Sequence, residues 1–390
     1  MKIAVVCDSF KGSLTSKDAC AAVKDGLLRC NKNFEVLSLP FADGGEGTSR
    51  CFYDILGGQL RKAAVHDPLL REITAEYTVL PDGTAVIDIA SASGLTLLKS
   101  SERDAVKVSS FGSGELICDA AEHGAKHIIL GLGGSATTDA GTGILYALGM
   151  RFFSEDGVEV LPDGQNMIRV KKIRRTENFE RFKDIKFTLA CDVTNPLCGE
   201  NGAAYVFSPQ KGASKNDVKL LDDGLRNIGE IFEKASGKKI INLPGAGAAG
   251  GIGGGLSAFL NCELQSGFDV LARAASLEDK IRRSDAVITG EGKTDRQTLF
   301  GKLPKRVSDI AEKFGVPCIL LSGDVENDIS AEKLGVCEIH KIKENGISLE
   351  HCMKNAASLL SERAFAIGKD SKIINKQYSR KQEKMRENER

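Results

Sequence analysis

One local pattern recurs along this chain and limits what it can become. A short apolar run ends in a small, polar, acid-bearing loop. Residues 3–6 (IAVV) run into Cys7-Asp8-Ser9-Phe10-Lys11-Gly12-Ser13, and residues 36–39 into Pro40-Phe41-Ala42-Asp43-Gly44-Gly45-Glu46. The same happens after residues 128–130, 187–190, 286–289 and 318–321. Runs this short and this apolar read as strands buried on both faces, the habit of parallel sheets. Between them lie helical stripes: Ala19, Ala22, Val23, Gly26 and Leu27, then Val218, Leu221, Leu225, Ile228 and Phe232. Apolar positions spaced by three and four bury one face of a helix. Strands alternating with helices predict an α/β fold with a parallel sheet.

The acids at these strand ends are Asp8, Asp43, Asp139, Asp192, Glu291 and Asp324. Any one of them could cap the helix that follows, since Asp is a preferred N-cap. Together they fall where open parallel sheets bind ligands, beyond the carboxyl ends of the strands. Carboxylates among glycines there suit Mg²⁺, which takes hard oxygen ligands and substrate phosphates. Lys11, Lys211, Lys293, Arg296 and Lys302 lie in the same loops. A magnesium ion plus Lys or Arg around a phosphate is what phosphoryl transfer requires. Solvation at the surface is the usual fate of a lysine. Lys11 and Lys302 stand out because each adjoins Gly in a strand-end loop.

Two glycine-rich stretches carry the anion-binding expectation. The first is the segment 127–149, HIILGLGGSATTDAGTGILYALG. It reads as strand, loop and helix, with Gly133, Gly134, Ser135, Thr137, Thr138 and Asp139 in the loop. Backbone N–H groups and a helix N-terminus there can cradle an anion. In the second, seven of the eleven residues from Gly245 to Gly255 are Gly. Such a loop is wrapped on a ligand or pressed against another backbone.

At 390 residues the chain is long enough for two or three domains. Texture changes near Gly57, where residues 59–65, 73–80 and 84–90 alternate like an antiparallel meander. Plain strand–helix units return near Gly267. Lys plus Arg and Asp plus Glu both number 53, so no overall field points to nucleic acid or membrane. From Lys369 onward there are 8 basic and 4 acidic residues, which predicts a charged, disordered tail. The 11 Cys are scattered without paired spacing, as in a reducing compartment. Cys191 has no evident His partner for nucleophilic work. With no apolar targeting segment or spanning run, a soluble, cytoplasmic protein is expected. No GxxxxGK[ST], protein-kinase signature, HExxH or dinucleotide fingerprint is present.

Six motifs then occur together and in order: DSFKGSLTS (8–16), ADGGEGT (42–48), GLGGSATTDAGTG (131–143), CDVTNPLCGENGAAYVFSPQKGA (191–213), GAAGGIGGGL (247–256) and TGEGKTDRQTLFGK (289–302). In this combination the chain resembles the bacterial glycerate kinases of the glyoxylate and galactarate pathways, from Met1 to about Ile367. The resemblance implies ATP-dependent phosphorylation of D-glycerate, giving 2-phosphoglycerate and ADP, with 3-phosphoglycerate as the other possible product. It implies two α/β domains with the active site in the cleft. One is flavodoxin-like with a parallel sheet (1–60 plus 267–368). The other is an inserted mixed-sheet domain (61–266), and 369–390 form the tail.

Physical reasoning assigns roles within that frame. Gly133, Gly134, Ser135, Thr137 and Thr138, with Gly250, Gly251, Gly253 and Gly254, are expected to hold the nucleotide phosphates. Asp139 and Asp192 are expected near Mg²⁺. Lys11, Arg296 and Lys302 are candidates for the glycerate carboxylate or the transferred phosphoryl group, with Ser13 beside them. Asp43, Glu46, Glu291 and Asp295 are candidates for the substrate hydroxyls, one of them taking the proton. Lys11, Asp43, Asp192, Glu291 and Asp295 form the expected catalytic set. ATP, Mg²⁺ and D-glycerate are the expected ligands, with no nucleic acid or membrane partner. The oligomeric state, monomer or homodimer, stays open. The GLGGSA run at 131–136 also resembles homoserine and mevalonate kinases, but over those six residues alone. A kinase of another small hydroxy acid, or a non-catalytic ligand-sensing relative, is the alternative.

Overall fold

A computed structural model describes residues 1–42, 47–161, 163–344 and 346–379. Asp43 and Glu46 therefore lie outside the described residues. The chain divides into two compact units, one of Met1–Asp43 with Leu271–Arg390 and one of Gly44–Val270.

The strands in chain order are β1 (Lys2–Cys7), β2 (Glu35–Pro40), β3 (Gln59–His66), β4 (Glu72–Val79), β5 (Ala85–Asp88), β6 (His127–Gly131), β7 (Met150–Phe153), β8 (Lys172–Arg175), β9 (Lys186–Ala190), β10 (Asn261–Gln265), β11 (Ala286–Thr294), β12 (Cys318–Val325) and β13 (Glu338–Lys341).

The first unit is built on one parallel sheet in the order β13-β12-β11-β1-β2. Val5 of the interior strand β1 pairs with Ser38 on one side and Ile288 on the other. Numbered by appearance within the unit, that order is 2-1-3-4-5, the flavodoxin-like arrangement. Ile3, Val5, Ile288, Ile319 and Leu321 pack with Val23 and Leu27 of helix Ser16–Cys30 and with Leu360 and Ala364 of helix Ala356–Asp370. Thr15 starts the first of these helices by accepting from the Asp18 N–H at 3.1 Å.

The tail departs from expectation. Helix Ala356–Asp370 runs past Lys369, and residues 372–379 are helical as well. Ile374 is fully buried in the unit's core and the Tyr378 ring meets Phe34 edge-on at 5.8 Å. Charge predicted disorder here, but two apolar side chains anchor the first turns beyond Asp370. The helical segment before it is broken at Asn355, into Leu349–Lys354 and Ala356–Asp370.

The second unit holds a six-stranded mixed sheet, β10-β9-β6-β5-β4-β3, and the separate pair β7-β8. β5, β6, β9 and β10 are parallel, while β4 and β3 continue antiparallel as the expected meander. The stripe Val218, Leu221, Leu225, Ile228 and Phe232 of helix Lys215–Ser236 is buried in this unit's core with Ile128, Leu130, Phe187 and Leu189. Helix Thr48–Leu56 belongs to this unit, although the expected boundary at residue 60 put it in the other. Polar contacts explain the difference. The Ser49 hydroxyl donates to Val86 O at 2.9 Å, and Asp88 accepts from the Gly47 and Ser49 N–H groups at 3.0 and 3.1 Å. No helix among the described residues is long and apolar enough to cross a membrane.

Candidate active site

In the first unit the strand order reverses between β1 and β11, so their carboxyl ends flank the crevice where such sheets take ligands. The loop after β1 is pressed onto β11: a Cβ on Gly292 would stand 3.1 Å from Phe10 Cα and 3.3 Å from Lys11 N. That contact brings the Lys11 backbone to the Glu291–Asp295 segment. The Lys11 side chain itself is exposed. Ser13, expected to meet substrate, instead donates its hydroxyl to Met353 O at 2.7 Å. It fastens the loop to helix Leu349–Lys354.

Glu291 is a buried acid at this edge. It is only 5% exposed and accepts from the Thr298 hydroxyl at 2.7 Å. Burial pushes its carboxyl above the usual range, and the nearby Asp295 adds to this. Hydrogen bonds from Thr298 and Thr294 and the Lys302 charge pull the other way. Asp295 caps helix Arg296–Leu299, accepting from Gln297 N at 2.9 Å, and Lys302 Nζ lies 3.4 Å from its Oδ1. Glu291, Asp295 and Lys302 thus come together as the sequence suggested. Arg296 does not join them: it is exposed and pairs with Asp328 at 2.6 Å.

The second unit's edge is organised differently. Asp88, Gly131 and Ala190 lie in register across β5, β6 and β9, and their loops leave side by side. Asp139 is fully buried and its oxygens are already taken. Oδ2 accepts from Ser110 N at 2.8 Å, Ser110 Oγ at 2.7 Å and Gly143 N at 3.4 Å; Oδ1 accepts from Gly141 N at 3.1 Å. Ser110 and Gly141 precede helices Phe111–Glu122 and Thr142–Ala147. Asp139 therefore staples two helix N-termini, whose unpaired N–H groups favour a negative charge. Burial raises its pKa and these bonds oppose the rise. Both Asp139 oxygens thus accept hydrogen bonds within the protein, which favours an architectural use over the expected magnesium role. Asp192, just beyond β9, is exposed. The neighbouring Cys191 thiol donates to Val193 O at 3.2 Å, and burial pushes its pKa up, against nucleophilic use.

The two glycine-rich stretches lie against each other. Ala140 N donates to Gly250 O at 3.0 Å. A Cβ on Gly250 would come within 2.0 Å of Thr137 O, and one on Gly255 within 1.8 Å of Ala140 O. Gly250 also has φ +69, which only glycine adopts without strain. Gly251, Gly253 and Gly254 are packed in turn against Leu197, Gly245 and Ala246. Contact with another backbone, one of the two expectations for this stretch, is present. Gly250, Gly251, Gly253 and Gly254 support the first loop from within the protein, and the close packing by itself requires glycine at Gly250.

In the first loop, Gly134 is exposed and Gly133 half-buried, whereas Ser135, Thr137 and Thr138 are buried. Beneath them lies Lys211, 3% exposed, with Nζ 2.9 Å from Ser135 Oγ and 2.6 Å from Thr137 O. Burial pushes its ammonium down to about 7, against the opposing charge of Asp139. Ser208 shares a 2.9 Å hydrogen bond with the Thr138 hydroxyl. Sequence reasoning missed Ser110, Ser208, Thr298 and the burial of Lys211. It also passed over Asp88, although an acid ending the apolar run Ala-Val-Ile carries the same signal as the other six.

Residues 3–372 match the sequence model of the Glycerate kinase family. A "Glycerate kinase" of Halalkalibacterium halodurans is 38% identical over 364 residues, 93% of this chain and 96% of that protein. A "Glycerate 2-kinase" of Escherichia coli is 41% identical over 330 residues, 84% of this chain and 87% of that one. The crystal structure of a Salmonella typhimurium LT2 protein assigned as glycerate kinase 2 superposes with a TM-score of 0.84 at 35% identity, covering 94% of this chain and 97% of that chain.

Proposed function

The chain belongs to the glycerate kinase family and is an enzyme of that kind, and from that premise we propose that it transfers the terminal phosphoryl group of ATP to the 2-hydroxyl of D-glycerate. The products are 2-phosphoglycerate and ADP. The observation that carries the chemistry is Glu291, a buried carboxylate among threonine hydroxyls beside Lys302 and Asp295. A carboxylate with a raised pKa is suited to take the hydroxyl proton as the oxygen–phosphorus bond forms and the bond to the leaving ADP oxygen breaks. Position 2 is favoured by the Escherichia coli relative, described as a glycerate 2-kinase.

The other roles follow from placement. Lys302 and Lys11, at the carboxyl edge of the first unit's sheet, hold the glycerate carboxylate or balance the transferred phosphoryl charge. In the second unit, the Gly133–Thr138 loop receives the nucleotide phosphates, which Gly133 and Gly134 approach through their accessible backbone. Mg²⁺ in kinases takes one or two carboxylates along with phosphate oxygens and water, not an all-protein cage. The exposed Asp192 fits that donor chemistry better than Asp139 does. Bound there, the ion would neutralise phosphate charge. The free cysteines suit a reducing cytoplasm.

NMR of the product formed from D-glycerate, ATP and Mg²⁺ tests the reading. A phosphorus coupled to the C2 proton is expected. Coupling to the C3 protons would overturn the assignment of position, and turnover of homoserine or mevalonate but not D-glycerate would overturn the substrate.

A further inference from the structure

We propose that Lys211 is a positioning residue for the nucleotide: its buried ammonium bridges Ser135 and Thr137 from below and holds the Gly133–Thr138 loop in the shape that receives phosphate. The proposal rests on the reading of that loop given above. The lysine arrives on the turn Pro209–Lys211, which is itself fixed. Ser208 O accepts from Lys211 N at 3.0 Å and Ala213 N at 3.1 Å, while the Ser208 hydroxyl meets Thr138. Gly212, at φ +97, lets the chain pass Arg103, whose carbonyl oxygen would stand 2.4 Å from a Cβ there. One short segment, 208–212, thereby grips Ser135, Thr137 and Thr138 at once.

A merely structural clamp would not need a charge. Burying a lysine is costly, and well-packed apolar side chains often replace buried charges with no loss of stability. Among the described residues, the hydrogen-bond acceptors of this ammonium are a hydroxyl and a carbonyl, and no carboxylate pairs with it. The hydroxyl of the same Thr137 is buried and has no hydrogen-bond partner among the described residues. Buried polar groups normally have partners. A cation and a hydroxyl kept under a glycine loop at a sheet's carboxyl edge serve an anion above them.

The test uses the full chain with Lys211→Met and Lys211→Arg. Lys211→Met should raise the KM for ATP about tenfold, the worth of one charge-assisted hydrogen bond. The KM for D-glycerate should stay within about twofold, as expected for an effect confined to nucleotide binding. Lys211→Arg, which keeps the charge, should recover part of the ATP affinity. Hydrogen exchange with ADP should protect residues 131–143 in the wild type and protect them less in Lys211→Met. Wild-type ATP KM in Lys211→Met, with the loop still protected by ADP, overturns the proposal. So does an equal rise in both KM values. If ADP leaves 131–143 unprotected in the wild type, the placement of the nucleotide fails instead. Should Lys211→Met not fold, Lys211→Gln is judged by the same criteria.

Discussion

Asp139 and Glu291 are both acids placed after a buried strand, and burial raises the pKa of both. They end in opposite conditions. Asp139 accepts from three backbone N–H groups and one hydroxyl, all locked by helices that start beside it. Glu291 is held by threonine hydroxyls, with a lysine charge near it. Backbone N–H groups cannot turn away, whereas a hydroxyl can rotate to donate or accept. The first acid is therefore committed to architecture, and the second is able to exchange a proton. Position after a strand does not separate the two; the partners do.

The contrast can be broken most decisively at Asp139. Asp139→Ala leaves two helix N-termini without their shared acceptor and should lower stability by about 3–5 kcal/mol, as when one partner of a buried charged network is removed. Chemical denaturation measures this. Unchanged stability with lost turnover would return Asp139 to a metal role. Next comes Glu291→Gln, which should lower kcat by about 10²–10⁴, the usual range for a lost acid–base group. Its stability should move the other way. A carboxyl whose folded pKa is raised contributes stability that is complete below its unfolded value and lost as pH rises through the folded value. The amide cannot ionise, so Glu291→Gln should be at least as stable as wild type at pH 7. A variant both active and destabilised would make Glu291 another architectural acid.

The smallest effect concerns Lys211, whose ammonium is pushed down to about 7 by burial, against the charge of Asp139. Above about 7, and up to the ordinary lysine value, the unfolded chain holds a proton that the folded chain has released. Stability from this group therefore rises with pH across that window and is lost as pH falls through about 7. Unfolding free energies of wild type and Lys211→Met, compared at pH 7 and 9, should shift in favour of wild type at the higher pH. No relative shift would mean that the ammonium stays charged when folded, paired more closely with Asp139 than its neighbours indicate.

Much of the frame was legible because burial writes itself into short apolar runs. The strands over 3–6, 36–39, 128–130, 187–190, 286–289 and 318–321 all lie within β1, β2, β6, β9, β11 and β12. β10 and β13 were not, since Asn261-Cys262-Glu263-Leu264-Gln265 and Glu338-Ile339-His340-Lys341 sit at sheet edges and are partly polar. At the site, Glu291, Asp295 and Lys302 were legible because one motif carries them all. The partners of Asp139 were not, because Ser110 is 29 residues away in sequence. Nor could the glycines of 250–254 disclose their neighbour: a Gly emptied for a phosphate and a Gly emptied for the Thr137 carbonyl are the same letter.

The first unit takes its strands from both ends of the chain, and this has a consequence for synthesis. β1 pairs with β2, close behind it in sequence, but its other neighbour β11 begins only at Ala286. At about 5–20 residues per second the wait is on the order of 10–50 s. Over that interval the whole of Gly44–Val270, contiguous in sequence, emerges and can close on itself. The nascent chain then carries a finished unit while an apolar strand, Ile3-Ala4-Val5-Val6, stays half-paired behind it.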